Sequence, residues 1–253
     1  HAKQIPLIVD IRDLDEQVPG AQYQGYRQWW VRPFSRWYKQ VNIRRRNHVL
    51  RLADAVTTIS PWHVEFVRQF NPNVHLIYNG YDPSQFYAED IPMDTFYISY
   101  IGRIYEFQST ALVEQAVREL NLPHVELNIH TPDCRPIPLS AVGDELRRSS
   151  MALVLTNPNA KGMMTTKFFE ALGCEKPILC TPSDNGLLTK TIRDTNAGLA
   201  SSDMDEIKAF ILEKYHEWQQ NGFTRQAVIN KEQFSRQQQA QQFEQLFMQC
   251  SKR

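Results

Sequence analysis

The stretch Lys161-Gly-Met-Met-Thr-Thr-Lys-Phe-Phe-Glu170 joins a short polar loop to a helix expected from Lys167 to Leu172. The first turn of a helix leaves backbone N–H groups without partners, and its dipole favours an anion there. Thr165, Thr166 and Lys167 stand at that turn, and Glu170 follows about one turn in. Amides and an ammonium suit the phosphates of a nucleoside diphosphate, and a carboxylate suits sugar hydroxyls. The same spacing also describes a surface helix with a solvated glutamate. A second candidate is Gly102-Arg103, just past a predicted strand. In open parallel sheets ligands bind beyond the strand C-termini. A glycine there permits close backbone approach, and a guanidinium can hold phosphate through two parallel bonds. A surface arginine is the plain alternative.

Other titratable groups read less sharply. Asp10, Arg12 and Asp13 follow a first apolar strand. They suit an acceptor-side site or an internal salt bridge. Ser60 before Pro61 reads as a helix cap, since spacing arranges no His or Asp with it. The four cysteines, 134, 174, 180 and 250, and the histidines show no metal-ligand spacing, so no metal is expected.

Alternating strands and helices position these groups. Strands are expected at 6–10, 55–59, 74–77, 96–101, 125–129, 152–155 and 177–180. Helical pattern covers roughly 24–52 with a break near Pro33, then 61–70, 109–120, 143–149, 186–193, 203–218 and 231–250. Gly173 is placed to end its helix at the left-handed position beyond the last turn. Residues 83–94 hold Pro83 and Pro92 and read as a linker. The alternation implies an α/β chain with doubly wound parallel sheets. It divides into 1–82, the linker 83–94, a ligand-binding domain at 95–230 and a C-terminal helical segment at 231–253.

Thr166-Lys-Phe-Phe-Glu170 followed by Lys176-Pro-Ile-Leu179 resembles the donor-site segment of the family 4 glycosyltransferases. Val9–Asp13, Ala53–Pro61, Leu76–Asp82, Ile98–Tyr105 and Thr195–Leu199 match that family in the expected order. The resemblance implies a GT-B fold of two Rossmann-like domains, the N-terminal one incomplete in this chain. It implies retention of configuration and a nucleotide-sugar co-substrate, UDP- or GDP-linked, with no other cofactor. Arg103 and Lys167 would take the catalytic role on the departing diphosphate. Gly102, Arg103, Thr165, Thr166, Lys167 and Glu170 would bind the donor, Glu170 through the ribose. Segment 231–253 would pack back on the N-terminal domain. Two departures stand out. No lysine follows Arg103 within a few residues, which leaves Lys161 or Lys167 to supply the second charge. Gly162 stands where many members carry a first glutamate that contacts the donor sugar. A bacterial surface-polysaccharide subgroup shares this form.

Composition narrows the partners. The 253 residues carry 28 basic and 28 acidic side chains, so bulk charge favours no polyanion. From Gln17 to Ala53, however, there is no acid, and eight basic residues alternate with aromatics. Trp29, Trp30, Arg44, Arg45 and Arg46 are the candidates for contact with an anionic membrane surface, which would bring a lipid-linked or other saccharide acceptor close. A solvated helix with packed tryptophans is the alternative, and nucleic acid is not expected as a partner. Without an apolar run long enough to span a bilayer, the location expected is cytoplasmic, at the inner face of the membrane if that contact holds. Alternatives in function are a GT-B nucleotide-sugar epimerase and a non-catalytic nucleotide-sugar-binding subunit.

Overall fold

The computed structural model describes residues 5–14, 16, 32–156 and 162–251. The chain divides into two compact units, His1–Tyr78 with Ala240–Arg253, and Asn79–Gln239.

The first unit is built on a parallel sheet. Its elements are β1 (Ile8–Ile11), α1 (Arg32–Leu52), β2 (Ala55–Thr58), α2 (Pro61–Val67) and β3 (Val74–Leu76), with strand order β1-β2-β3. Side chains alternate across the strands. Val9, Ile11 and Val56 therefore pack with Leu50, Val67 and Val74 on one face. The α1 C-terminus is closed by Asn71, whose Nδ2 donates to the carbonyls of Leu50 at 2.8 Å and Ala53 at 2.7 Å. Helix α2 starts as its sequence dictates: Ser60 Oγ accepts from His63 N at 3.2 Å, and Pro61 fills the first turn. The described part of α1 begins at Arg32, so the break expected near Pro33 falls at the edge of the described residues. The part of that helical pattern before residue 32 lies outside the described residues.

The second unit contains β4 (Phe96–Ile101), α3 (Ala111–Leu120), β5 (Val125–His130), α4 (Val142–Arg148), β6 (Met151–Leu155), α5 (Thr166–Gly173), β7 (Ile178–Thr181), α6 (Leu187–Asp194), β8 (Gly198–Ala200) and α7 (Met204–Asn221). All strand pairs are parallel, in the order β5-β4-β6-β7-β8. Phe96, Ile98, Tyr100, Leu153 and Leu179 pack with Val113 of α3 and Ile207, Ile211, Tyr215 and Trp218 of α7. The strand order reverses between β4 and β6. The chain leaves β4 for β5 on one side, then crosses back to β6 on the other. Such a switch point, beyond the C-terminal ends of the strands, is where open α/β sheets hold ligands.

Residues 83–94, expected as a linker, carry no helix or strand and lie against the second unit. Phe86 is buried, Arg147 Nη1 donates to Gln85 O at 2.8 Å, and Trp218 Nε1 donates to Met93 O at 2.9 Å. The last helical segment is divided. A 3-10 turn (Lys231–Phe234) precedes α8 (Arg236–Ser251), with Ser235 extended between them and its Oγ accepting from Gln238 N at 3.2 Å. Within the first unit, Leu246 and Cys250 of α8 cover Ala55 and Ile8, the sheet face opposite α1.

Gly173 differs from expectation. It is the last residue of α5, and Glu175 takes the left-handed conformation with φ 53°. A Cβ on Gly173 would come within 2.6 Å of Tyr81 Cδ2, so close packing against that ring, not turn geometry, requires the glycine.

Candidate functional site

Two loops of the second unit meet at the switch point. Strand β4 ends its ladder with Gly102 N donating to His130 O at 2.8 Å. Gly102 has φ +133°, a conformation that side chains rarely adopt. A Cβ there would stand 2.6 Å from Cε and 2.9 Å from Nζ of Lys167. The glycine thus lets the ammonium of α5 lie directly on the backbone after β4. Arg103 is exposed, and its guanidinium has no hydrogen-bond or ion-pair partner among the described residues.

Helix α5 enters the site by its N-terminus. Thr165 is the extended cap residue, and its Oγ1 accepts from Lys167 N at 3.4 Å. Thr166 is exposed at the first helical position. Lys167 Nζ stands 5.4 Å from the centre of the Tyr100 ring. Burial pushes its pKa down, and the Glu170 charge opposes that. For Glu170, burial pushes the carboxyl pKa up, and the charges of Lys167 and Arg236 pull it back. Among the described residues the Glu170 carboxylate forms no hydrogen bond or ion pair. Lys167 and Glu170, with Ser99, Ile101, Leu146, Ala152 and Leu153, line a small recess.

In their chemistry these groups could take an anion and hydroxyl groups. Arg103 makes no ion pair and the Lys167 ammonium no hydrogen bond among the described residues, and the half-buried Glu170 carboxylate has spare acceptor capacity. The structure brings Gly102, Lys167 and Glu170 together beyond the end of β4, with Arg103 next to Gly102 and Thr165 and Thr166 at the start of α5. Lys161 lies outside the described residues.

Elsewhere, candidate groups are already engaged. Asp10 Oδ1 accepts from Thr57 Oγ1 at 2.8 Å, and Asp10 Oδ2 pairs with Arg12 Nε at 2.7 Å. Asp13 is exposed, and its charge opposes the burial that pushes the His63 pKa down. On α1, Arg44 and Arg45 are exposed, but Arg46 grips Glu16 through two bonds of 2.7 and 2.6 Å and lies over the Phe66 ring. Trp29 and Trp30 lie outside the described residues. No described helix is long and apolar enough to cross a membrane. Among the described residues no group of three His, Cys, Asp or Glu side chains could hold a metal ion.

Two groups escaped the sequence reading. Tyr100 underlies the site, and the signal was an aromatic two positions before the strand-ending glycine. His130 reads from sequence as a packing or surface residue. It is buried at the end of β5, with Nδ1 2.8 Å from Arg135 O and Nε2 3.3 Å from Glu145 Oε1. Glu145 reaches it from α4.

No family model and no curated protein sequence matches the chain. Solved structures do. Sucrose-phosphate synthase from Thermosynechococcus elongatus superposes with a TM-score of 0.62 at 17% identity, covering 96% of this chain and 67% of that one. Anabaena HepE, solved in complex with UDP-glucose, gives 0.63 at 15% identity, covering 95% of this chain and 72% of that one. S. aureus TarM gives 0.56 at 14% identity, covering 83% of this chain and 46% of TarM. These neighbours are GT-B glycosyltransferases, and this chain shares their α/β fold.

Proposed function

We propose that this chain is the nucleotide-sugar-binding part of a glycosyltransferase that transfers a sugar from a UDP- or GDP-linked donor to a saccharide or lipid-linked acceptor. The observation that carries the reading is Lys167 seated on Gly102 beside the unpaired carboxylate of Glu170, at the switch point of the sheet. HepE, which shares the fold, was solved with UDP-glucose, which favours UDP.

The residues divide the work. Arg103, Lys167 and the amides at Thr165 and Thr166 meet the charge that grows on the diphosphate as the glycosidic bond breaks. Glu170 accepts from ribose hydroxyls. These cations supply the positive charge that the leaving group needs, so the reading includes no metal. Retention of configuration, membership of family 4 and a role in surface-polysaccharide assembly rest on the sequence resemblance, and so does an acceptor side in the first unit near Asp13.

Calorimetric titration of the whole protein with UDP, GDP and the parent nucleosides, beside turnover of a labelled nucleotide sugar, tests this directly. Arg103→Ala should weaken nucleoside diphosphate by about 1.5–3 kcal/mol, the worth of charge-assisted bonds, and leave the nucleoside unaffected. Equal losses for both ligands would make Arg103 a residue of the fold alone.

A peripheral membrane contact belongs to the same reading. Phe34, Trp37 and Tyr38 are exposed on α1 at helical spacing, with exposed Arg44 and Arg45 further along and no acid in the helix. Aromatic tips and arginines of this kind bind anionic lipid surfaces. Arg46 is excluded because Glu16 neutralises it. Co-sedimentation with anionic vesicles should fall when Arg44 and Arg45 are changed to Gln and persist for Arg46→Gln. Equal binding to neutral and anionic vesicles would remove the membrane from the proposal.

A further inference from the structure

We infer that Tyr100 is a positioning residue that holds both phosphate-facing cations of the site, the backbone of Arg103 through its hydroxyl and the ammonium of Lys167 through its ring. The inference rests on the nucleotide-binding reading above. Tyr100 is fully buried in β4, among the core side chains under α3 and α7. A phenylalanine or leucine would serve that packing. The phenol does something further: its Oη donates to Arg103 O at 2.6 Å. That carbonyl lies past the last β4 ladder residue, and Tyr100 is its hydrogen-bond partner among the described residues. The bond closes a loop of four residues around Gly102, whose φ of +133° turns the chain there. The direction in which Arg103 leaves the sheet is thereby fixed from beneath.

The ring face acts on the second cation. Lys167 Nζ stands 5.4 Å from its centre, within the range where an aromatic quadrupole attracts an ammonium. Burial lowers the pKa of Lys167 and the Glu170 charge opposes that, while the ring gives the ammonium an attractive face to rest against. Burial also raises the phenol pKa, so the hydroxyl stays a proton donor across the working range. A single core side chain therefore sets the spacing of two cations that come from different loops.

The test uses the whole protein and calorimetric affinities for UDP and uridine, and for GDP and guanosine. Wild type is compared with Tyr100→Phe, Tyr100→Met, Lys167→Met and the double variants Lys167→Met/Tyr100→Phe and Lys167→Met/Tyr100→Met. Tyr100→Phe keeps the ring and the packing but loses the hydroxyl. It should weaken nucleoside diphosphate about fivefold, the equivalent of one hydrogen bond, and leave the nucleoside unchanged. Tyr100→Met should lose more, and the excess over Tyr100→Phe should vanish in the Lys167→Met background, as a coupled pair requires. Unchanged diphosphate affinity in Tyr100→Phe, or equal weakening of diphosphate and nucleoside, would reduce Tyr100 to a core residue while the nucleotide reading stood. If Tyr100→Met does not fold, the Tyr100→Phe comparison decides alone. A wild-type protein that binds neither UDP nor GDP would overturn the nucleotide reading and this inference together.

Discussion

Glu170 and Glu175 stand five residues apart on the same helix-and-turn segment and meet opposite surroundings. Glu175 accepts from Arg225 Nη1 at 2.8 Å and from Lys231 Nζ at 2.5 Å. Arg225 also reaches Asp90, and Gln226 N donates to Glu175 O, so the 225–231 segment is tied to the turn after α5. Glu170 has no such partner among the described residues, although burial already raises its pKa. One carboxylate is part of the frame. The other is left with its acceptor capacity unused, at the point where the sheet topology opens. Burial disfavours its charged form more than the nearby charges of Lys167 and Arg236 favour it. Its place beside Lys167 and Gly102 is what the proposed nucleotide site uses.

The contrast can be broken by removing each charge in turn. Glu170→Gln should weaken nucleotide binding by about 1.5–3 kcal/mol, because ribose hydroxyls lose a charged acceptor. The free protein should be as stable as wild type or more so, since a charge that burial disfavours has gone. Denaturant melts beside calorimetric titrations would check both signs. A stability loss with unchanged affinity would place Glu170 in the frame with Glu175.

Glu175→Gln should do the reverse, with a smaller effect. Its partners are partly exposed, so solvent screens the pairs, and a loss of about 1–2 kcal/mol in unfolding free energy is expected. Nucleotide affinity should stay the same within the error of the titration. A matching drop in affinity would show that the turn after α5 and the nucleotide site are one mechanical element.

The sequence makes one side of this contrast legible and hides the other. Helix start signals, the glycine before Arg103 and the position of Glu170 on α5 are local, so they can be read from spacing. Partners are not local. Arg225 and Lys231 lie 50 and 56 residues beyond Glu175, and no pattern in the chain announces that they converge on it. Gly173 shows the same limit. Its place beside a helix end suggests turn chemistry, but its requirement comes from Tyr81, a residue far away in sequence. The alternation of strands and helices was readable because periodicity is local. The strand order that puts β4 next to β6 was not, since crossover direction leaves no local trace. Arg46 reads like its neighbours Arg44 and Arg45 in the sequence, and only its pairing with the distant Glu16 sets it apart.

The subtlest separation of the two glutamates is by pH. A carboxyl whose folded pKa is raised above its unfolded value destabilises the protein when ionised. For Glu170 that cost is absent at pH values below about 4.5, where both states hold the proton, and it grows as pH rises through the folded pKa. Above the folded pKa it is constant. The stability difference between Glu170→Gln and wild type should therefore be small in acid, rise in the variant's favour across that window and then level off. Nucleotide should suppress the rise, because ribose hydroxyls would then donate to the ionised carboxylate and restore its preference for the charged form. Thermal melts of wild type and variant, with and without UDP, across the acid range would measure it. A difference that favours wild type and grows with pH would mean that Glu170 is held by a partner in solution, and the contrast with Glu175 would disappear.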